Sequence, residues 1–320
     1  MRTHPARQTG KATWFCSCST VTRNVWLAMW MVTFALCAGC QTPQRPIARP
    51  TQHSIRAEQL LVLSDFKLDK EHPLIQDLIA LRGQVARTLA LPKQKEEVVV
   101  YLFSTEGEYQ KFLDTAYPGL PRRRAYFVGT PRELAVYTYW GDRIQEDLRH
   151  EYTHGLLHAC LKTVPLWIDE GLAEYFEVVG PNPGTVNTEY AQRLSASLAN
   201  GWRPNMKRLE RLDEFSQMQR IDYQESWSWV HYMLHTTPET REALLSYLAD
   251  LQHSTSPEPL SDRLAKADPY VSSRVLSYLA SLNTAHLWNG QTQDEPQRIR
   301  LTAEKQAAEI TSHPNGDGNR

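Results

Sequence analysis

His150-Glu151-Tyr152-Thr153-His154 places two imidazoles four residues apart, with a carboxylate beside the first. On an α-helix, residues i and i+4 share a face, so both rings can reach one metal ion. The intervening Glu151 then points to water beside the ion rather than to the ion itself. Downstream, Trp167-Ile168-Asp169-Glu170-Gly171-Leu172-Ala173-Glu174-Tyr175 offers further carboxylates. Two histidines, one carboxylate and an open fourth position make the donor set of a hydrolytic zinc site. The competing reading is an amphipathic helix whose histidines only pack. Against it, Ile144, Leu148, Tyr152 and Leu156 recur at helical spacing, which predicts a helix over about 142–160. Pro165 starts a second helix, over about 166–178, that carries the carboxylates.

The combination HEYTH and PLWIDEGLAEYFE resembles the gluzincin metallopeptidases, and within them the compact bacterial "peptidase MA-like" families. Those carry H-E-x-x-H followed by W-[LI]-x-E-G-[LF]-A-E-[YF]. The resemblance is strong over residues 145–178 and weaker over 96–250. It implies a zincin-like α+β fold, one Zn2+ per chain, and Glu170 as third ligand beside His150 and His154. It also makes Glu174 the supporting carboxylate that orients the first histidine. The swapped assignment, with Glu174 as ligand and Glu170 as support, is the alternative. The Gly-x-Met-x-Asn substrate anchor of the large aminopeptidases of this clan is absent from the sequence. Their exopeptidase activity is therefore not carried over.

Glu151 is the expected general base, a carboxylate that takes a proton from water and returns it to the leaving amine. Asp169 points about 100° away from Glu170 on the helix and is expected to be a helix-start residue. His158 extends the i, i+4 series, but lies about 12 Å along the axis from His150, too far for a shared ion. It is expected as packing or polar lining. An oxyanion donor is expected from Tyr223 or His231, on a helical face with Trp227, Val230 and Leu234. The other reading of that face is aromatic core. In the resemblance, Tyr223, Ser226 and Val230 match a Y-x-x-S-x-x-x-V pattern of a helix behind the site.

The positioning elements follow from periodicity. Leu74, Leu78, Leu81 and Val85 predict a helix within 70–90; Val98–Phe103 reads as a buried strand; Thr105 starts a helix through Phe112. Tyr126–Val128 and Leu134–Tyr139 read as a hairpin, with residues 134–139 the expected sheet edge on which a substrate backbone pairs. Helices follow at about 187–199, 222–236, 239–252, 259–267 and 270–282, with a connecting loop marked by Trp202-Arg203-Pro204 and Asp213-Glu214-Phe215. The expected organisation is a signal peptide (1–39), a tether (40–56), an α/β lobe with a mixed sheet (57–165), a helical lobe (166–285) and a polar tail (286–320).

The chain has 320 residues, 41% of them hydrophobic, enough for a sizeable core; its net charge of −1 gives no electrostatic case for nucleic acid. Arg122-Arg123-Arg124 is a small basic turn, expected to be solvated. Arg2, Arg7, Lys11 and Arg23 precede an apolar run from Val25 to Leu36 that ends in Leu36-Cys37-Ala38-Gly39-Cys40. This is signal-peptide length and resembles a bacterial lipobox, with Cys37 where Leu is usual. It implies lipidation at Cys40 and a membrane anchor. Gln41 differs from the Asp of the inner-membrane retention signal, so the expected location is the outer membrane facing the periplasm. Cys160 is then the one cysteine left in the folded part, with no disulfide partner. Three functions compete. The first is a tethered zinc peptidase acting on a peptide or protein substrate. The second is an inactive or repurposed zincin-fold protein that binds or assembles in the envelope. The third is a metal-dependent hydrolase of a non-peptide amide, such as a cell-wall stem peptide bond. Retention of Glu151 with a full ligand set favours the first.

Overall fold

The computed structural model describes residues 48–93, 96–180 and 183–282. The signal segment, Cys40 and the polar tail lie outside them. Strands β1 (His53–Ala57), β2 (Leu60–Ser64), β3 (Val98–Phe103), β4 (Ala125–Thr130) and β5 (Glu133–Tyr139) form a mixed sheet in the order β1-β2-β3-β5-β4. The pairs β1–β2 and β4–β5 are antiparallel, whereas β2–β3 and β3–β5 are parallel. The parallel pairs require crossovers. These are made through α1 (Pro73–Thr88) and α2 (Glu106–Ala116).

Every residue of β3 is buried, and its alternation divides two cores. Val98, Val100 and Leu102 face the large core with Leu78, Leu81 and Val85 of α1. Val99, Tyr101 and Phe103 face a smaller one with Tyr109, Phe112 and Leu113 of α2. Both crossover helices start on side-chain caps: His72 Nδ1 accepts from the Leu74 N–H, and Thr105 Oγ1 from the Glu108 N–H.

The rest is helical: α3 (Ile144–His158), α4 (Leu166–Glu177), α5 (Thr188–Ala199), α6 (Met206–Leu209), α7 (Arg220–His235), α8 (Pro238–Leu251), α9 (Leu260–Ala267) and α10 (Val271–Leu282). The large core is continuous from Leu60 of β2 through α3, α4 and α7 to Leu282 of α10. The architecture is thus α+β, with a mixed sheet in the N-terminal half and helices after it.

Three expectations are corrected. The span expected as the tether holds the first four residues of β1, and β2 follows where no strand is expected; β1 is short and polar, with His53, Ser54 and Arg56 exposed. Residues 134–139 do not form the sheet edge, because β5 lies between β3 and β4. The edge nearest the histidine helix is β4. The connecting loop contains the short helix α6 and a 3-10 turn at Phe215–Gln217.

Two glycines set how closely the site helices approach their neighbours. A Cβ at Gly155 would stand 2.7 Å from Val98 Cγ1, so α3 lies directly on β3. A Cβ at Gly171 would stand 2.7 Å from the Ser226 carbonyl oxygen, so α4 meets the backbone of α7. Replacing a helical glycine with alanine ordinarily gains up to about 1 kcal/mol. Here the opposed atom is backbone and cannot rotate away. Gly171→Ala is expected to destabilise the fold by about 1–3 kcal/mol, read from the urea unfolding midpoint; a gain in stability would show that α4 and α7 are not in backbone contact.

Candidate metal centre

The donors come from one helix crossing. On α3, His150 and His154 project from the same face, and their Nε2 atoms lie 3.2 Å apart. Glu170 on α4 approaches both, with Oε2 3.5 Å from His150 Nε2 and Oε1 3.9 Å from His154 Nε2. Tetrahedral ligands at about 2.0–2.1 Å from one zinc ion stand about 3.3 Å from each other. The three separations bracket that value, so this donor set fits an ion of zinc's size.

The outward nitrogens are also engaged, which fixes how each ring faces. His150 Nδ1 is 2.9 Å from Glu177 Oε2, at the last turn of α4. His154 Nδ1 is 2.9 Å from Asp169 Oδ1, a close ion-pair approach that is not aligned as a hydrogen bond. Asp169 Oδ2 binds His158 Nε2, also at 2.9 Å. Both Nε2 atoms are thereby left to converge on Glu170.

Asp169 lies in the first turn of α4, as expected of a helix-start residue, but it is also buried and holds His154 and His158. One expected role is corrected here. Glu174 does not supply the hydrogen bond to His150; Glu177 does, one turn nearer the open end of the site. Glu174 remains close enough to form a second possible group with His150 and Glu177, but that group shares His150 with the first. Neither Asp169 nor Glu177 could be assigned from spacing along α4, since their roles depend on how far α4 is rotated and slid against α3.

Burial and charge act together. Burial works against charge on His150, but Glu170 and Glu177 outweigh it and raise its pKa well above the ordinary imidazole range. Burial likewise opposes charge on His154, yet Asp169 and then Glu170 hold its pKa up to about 9. Burial would raise both carboxyls, but the imidazoles hold Glu170 and Asp169 below their ordinary range. Glu174 goes the other way: burial, with Glu177 nearby, pushes its pKa up to about 8.

Glu151 lines a cavity of about 400 Å³ with His150, Glu177, Arg122, Arg123, Arg124 and Arg143 among its walls. Its Oε2 accepts the backbone N–H of Phe127 at 2.6 Å. This bond shows that the Phe127 amide points out from the free edge of β4. Tyr223, at the start of α7, is half-buried and makes a polar contact with Arg123. Burial and then the Glu170 charge raise its pKa, so its hydroxyl stays a proton donor. His231 is not at the site. Its Nδ1 meets the Tyr278 hydroxyl and its Nε2 the Gly184 carbonyl at 2.9 Å. Burial and then the neighbouring His235 lower its pKa to about 3, so it is a neutral packing residue.

The basic turn is exposed, as expected, and it also forms one wall of this cavity. Its signal in sequence was position alone, directly before the strand that bonds Glu151.

Residues 146–260 match the family described as "Protein of unknown function (DUF1570)", which spans α3 through the start of α9. No curated protein matches the chain.

The charge pattern fixes the sign of a pH effect on the metal-free protein. His154, raised in the fold, stabilises fully below its unfolded pKa of about 6.5 and loses that contribution as pH rises through about 9. Glu174, raised to about 8, acts in the same direction as it ionises in a buried setting. Asp169 and Glu170, lowered in the fold, lose their contributions only in acid. The thermal midpoint of the chelator-treated protein is therefore expected to fall from pH 6.5 to 9. Added zinc should flatten that slope, because metal displaces the same protons. Scanning fluorimetry with and without zinc checks it; a midpoint that rises over this range contradicts the assignment.

Proposed function

We propose that this protein is a zinc-dependent peptidase of the gluzincin type, with a zincin-like fold, anchored as a lipoprotein facing the periplasm. The observation that carries the reading is the convergence of His150 Nε2, His154 Nε2 and a Glu170 carboxylate beside a cavity lined by Glu151. His150, His154 and Glu170 would hold the ion. When bound, zinc supplies a Lewis acid that polarises a carbonyl and brings the pKa of water to about 7.

The chain's own residues do the rest. Glu151 accepts the proton from water as the water oxygen adds to the carbonyl carbon, and passes that proton to the departing amine as the peptide C–N bond breaks. Tyr223, protonated and near Glu170, is the donor toward the developing oxyanion. Glu177 and Asp169 hold the two imidazoles in orientation. The free edge of β4 gives an extended substrate its main-chain partner. A substrate pairing along β4 takes over the Phe127 N–H, and Glu151 turns from that amide to water as the substrate docks.

Two expected outcomes test the reading. The purified protein should hold about one zinc per chain by elemental mass spectrometry, and Glu170→Ala should lose it. Glu151→Gln should keep the metal while hydrolysis of a casein-type substrate falls by about 10²–10⁴-fold. A chain that takes up no zinc, or Glu151→Gln turning over as fast as the parent, overturns it. The anchor is tested separately: Cys40→Ala should move the protein from the membrane to the soluble fraction, and continued membrane fractionation would argue for an uncleaved anchor instead.

A further inference from the structure

Four arginines and four carboxylates line the cavity beside Glu151. Most of these charges are already matched. Arg124 grips Asp147 with Nε at 2.8 Å and Nη2 at 2.7 Å, and Arg143 Nε meets Glu146 at 2.6 Å. Glu177 holds His150, and Glu151 takes the Phe127 amide. Arg122 reaches only Asp114, at 3.8 Å, and both are largely exposed. Arg123 has no carboxylate paired with it among the described residues. Its guanidinium lies over the Tyr126 ring, 5.8 Å from the centroid, and contacts Tyr223.

Its backbone, by contrast, is tightly held. The Tyr109 hydroxyl, on a fully buried ring, donates to the Arg123 carbonyl at 3.0 Å. Gln110 Nε2 reaches the same oxygen at 3.4 Å, Thr138 Oγ1 donates to the Arg124 carbonyl at 3.1 Å, and the Tyr126 hydroxyl donates to the Pro121 carbonyl. The side chains of this turn are exposed while its carbonyl oxygens are anchored from behind. Helix α2, β4 and β5 together fix the backbone of this turn in the cavity wall, and its Arg123 side chain forms no ion pair among the described residues.

We propose that Arg123 is the specificity-determining residue of this site and binds a carboxylate carried by the substrate, so that the preferred substrates are peptides with an acidic group near the cleaved bond. This rests on the peptidase reading above. The planar guanidinium fork suits a carboxylate, and it rests between the Tyr126 ring and Tyr223. The carboxylate has two sources, an Asp or Glu side chain or the C-terminus of the peptide. Both place the same group against the same cation.

The test uses the full chain with zinc and a set of fluorogenic peptides. One arm compares Glu or Asp with Gln or Asn at each position flanking the cleaved bond; the other compares free with amidated C-termini. The expected result is a kcat/KM ratio of acid over amide of about 10 to 100 in one arm, which collapses towards one in Arg123→Ala and is partly restored in Arg123→Lys. The arm that responds names the source. A ratio near one in both arms, or a preference that survives Arg123→Ala, overturns the proposal. Calorimetry of the same peptides on Glu151→Gln separates this from failure of the peptidase reading. Acid-selective binding that depends on Arg123, without hydrolysis in the parent, upholds the carboxylate site and removes the peptidase. Hydrolysis without selectivity does the reverse.

Discussion

Glu170 reaches the two histidines because α4 crosses α3 at one particular offset, and the rest of the site depends on that offset. Two features hold it. Gly171, the residue after Glu170, lets α4 touch the Ser226 carbonyl of α7, so α4 cannot move outward or rotate without opening a void. Arg149, one residue before His150, is buried and donates from Nε to the Phe176 carbonyl at 2.9 Å and from Nη1 to Asp77 of α1 at 2.7 Å. It joins the last turn of α4 to α3 and to the helix beneath the sheet. A shift of one residue in this crossing would exchange Glu170 for Asp169 or Gly171 opposite the histidines. The donor set is therefore a property of the α3–α4–α7 packing before it is a property of the motif.

That packing places many charges in a small buried volume. His154, Asp169, Glu170 and Glu174 are each nearly inaccessible. Isolated, each would be expensive to bury. In combination the carboxylates hold the imidazoles charged, and the imidazoles hold Asp169 and Glu170 ionised. Glu174 is left over, and its response is to stay protonated beside Glu177 and Tyr190. A dication would take the place of the imidazole protons and keep the same carboxylates in balance. On the proposed reading, the site as it stands is a proton-filled form of the arrangement a divalent ion would take.

How much of this was legible in the sequence depended on the range of each interaction. The i, i+4 pair His150 and His154 is local, so the helix and its shared face could be read directly, as could β3, whose run from Val98 to Phe103 is apolar throughout. The strands β1 and β2 were not legible. β1 alternates weakly and is exposed at three of its five positions, and β2 is a short apolar run that only its parallel pairing with β3 defines as a strand. The edge was misplaced for a similar reason. A hairpin's sequence tells that two strands pair, but which of them faces outward is decided by β3, which docks against β5. Asp169 was missed because it lies about 100° around α4 from Glu170; Glu177 shares the face of Glu170 two turns on, but which carboxylate of that face meets His150 is decided by the offset of α4 against α3. His231 looked suitable by type and periodicity; its nitrogens are taken by Tyr278 and Gly184, partners that no spacing rule connects to it.

The division of labour between rigid helices and an edge strand has a consequence for how such a site can be tuned. Helices α3 and α4 pack against β3 and α7, so on the peptidase reading changes there would disturb metal geometry and stability together. The strand β4 has one free side. Its Phe127 amide reaches Glu151, and the turn that leads into it carries the arginine wall, anchored from behind by Tyr109 and Thr138. Side chains of that turn can change without moving its backbone, since the anchoring bonds all end on carbonyl oxygens of Pro121, Arg123 and Arg124. Backbone anchoring of a turn whose side chains face a cavity separates substrate choice from fold stability. On the peptidase reading, this turn is where substrate preference can be altered at the least cost to the metal centre.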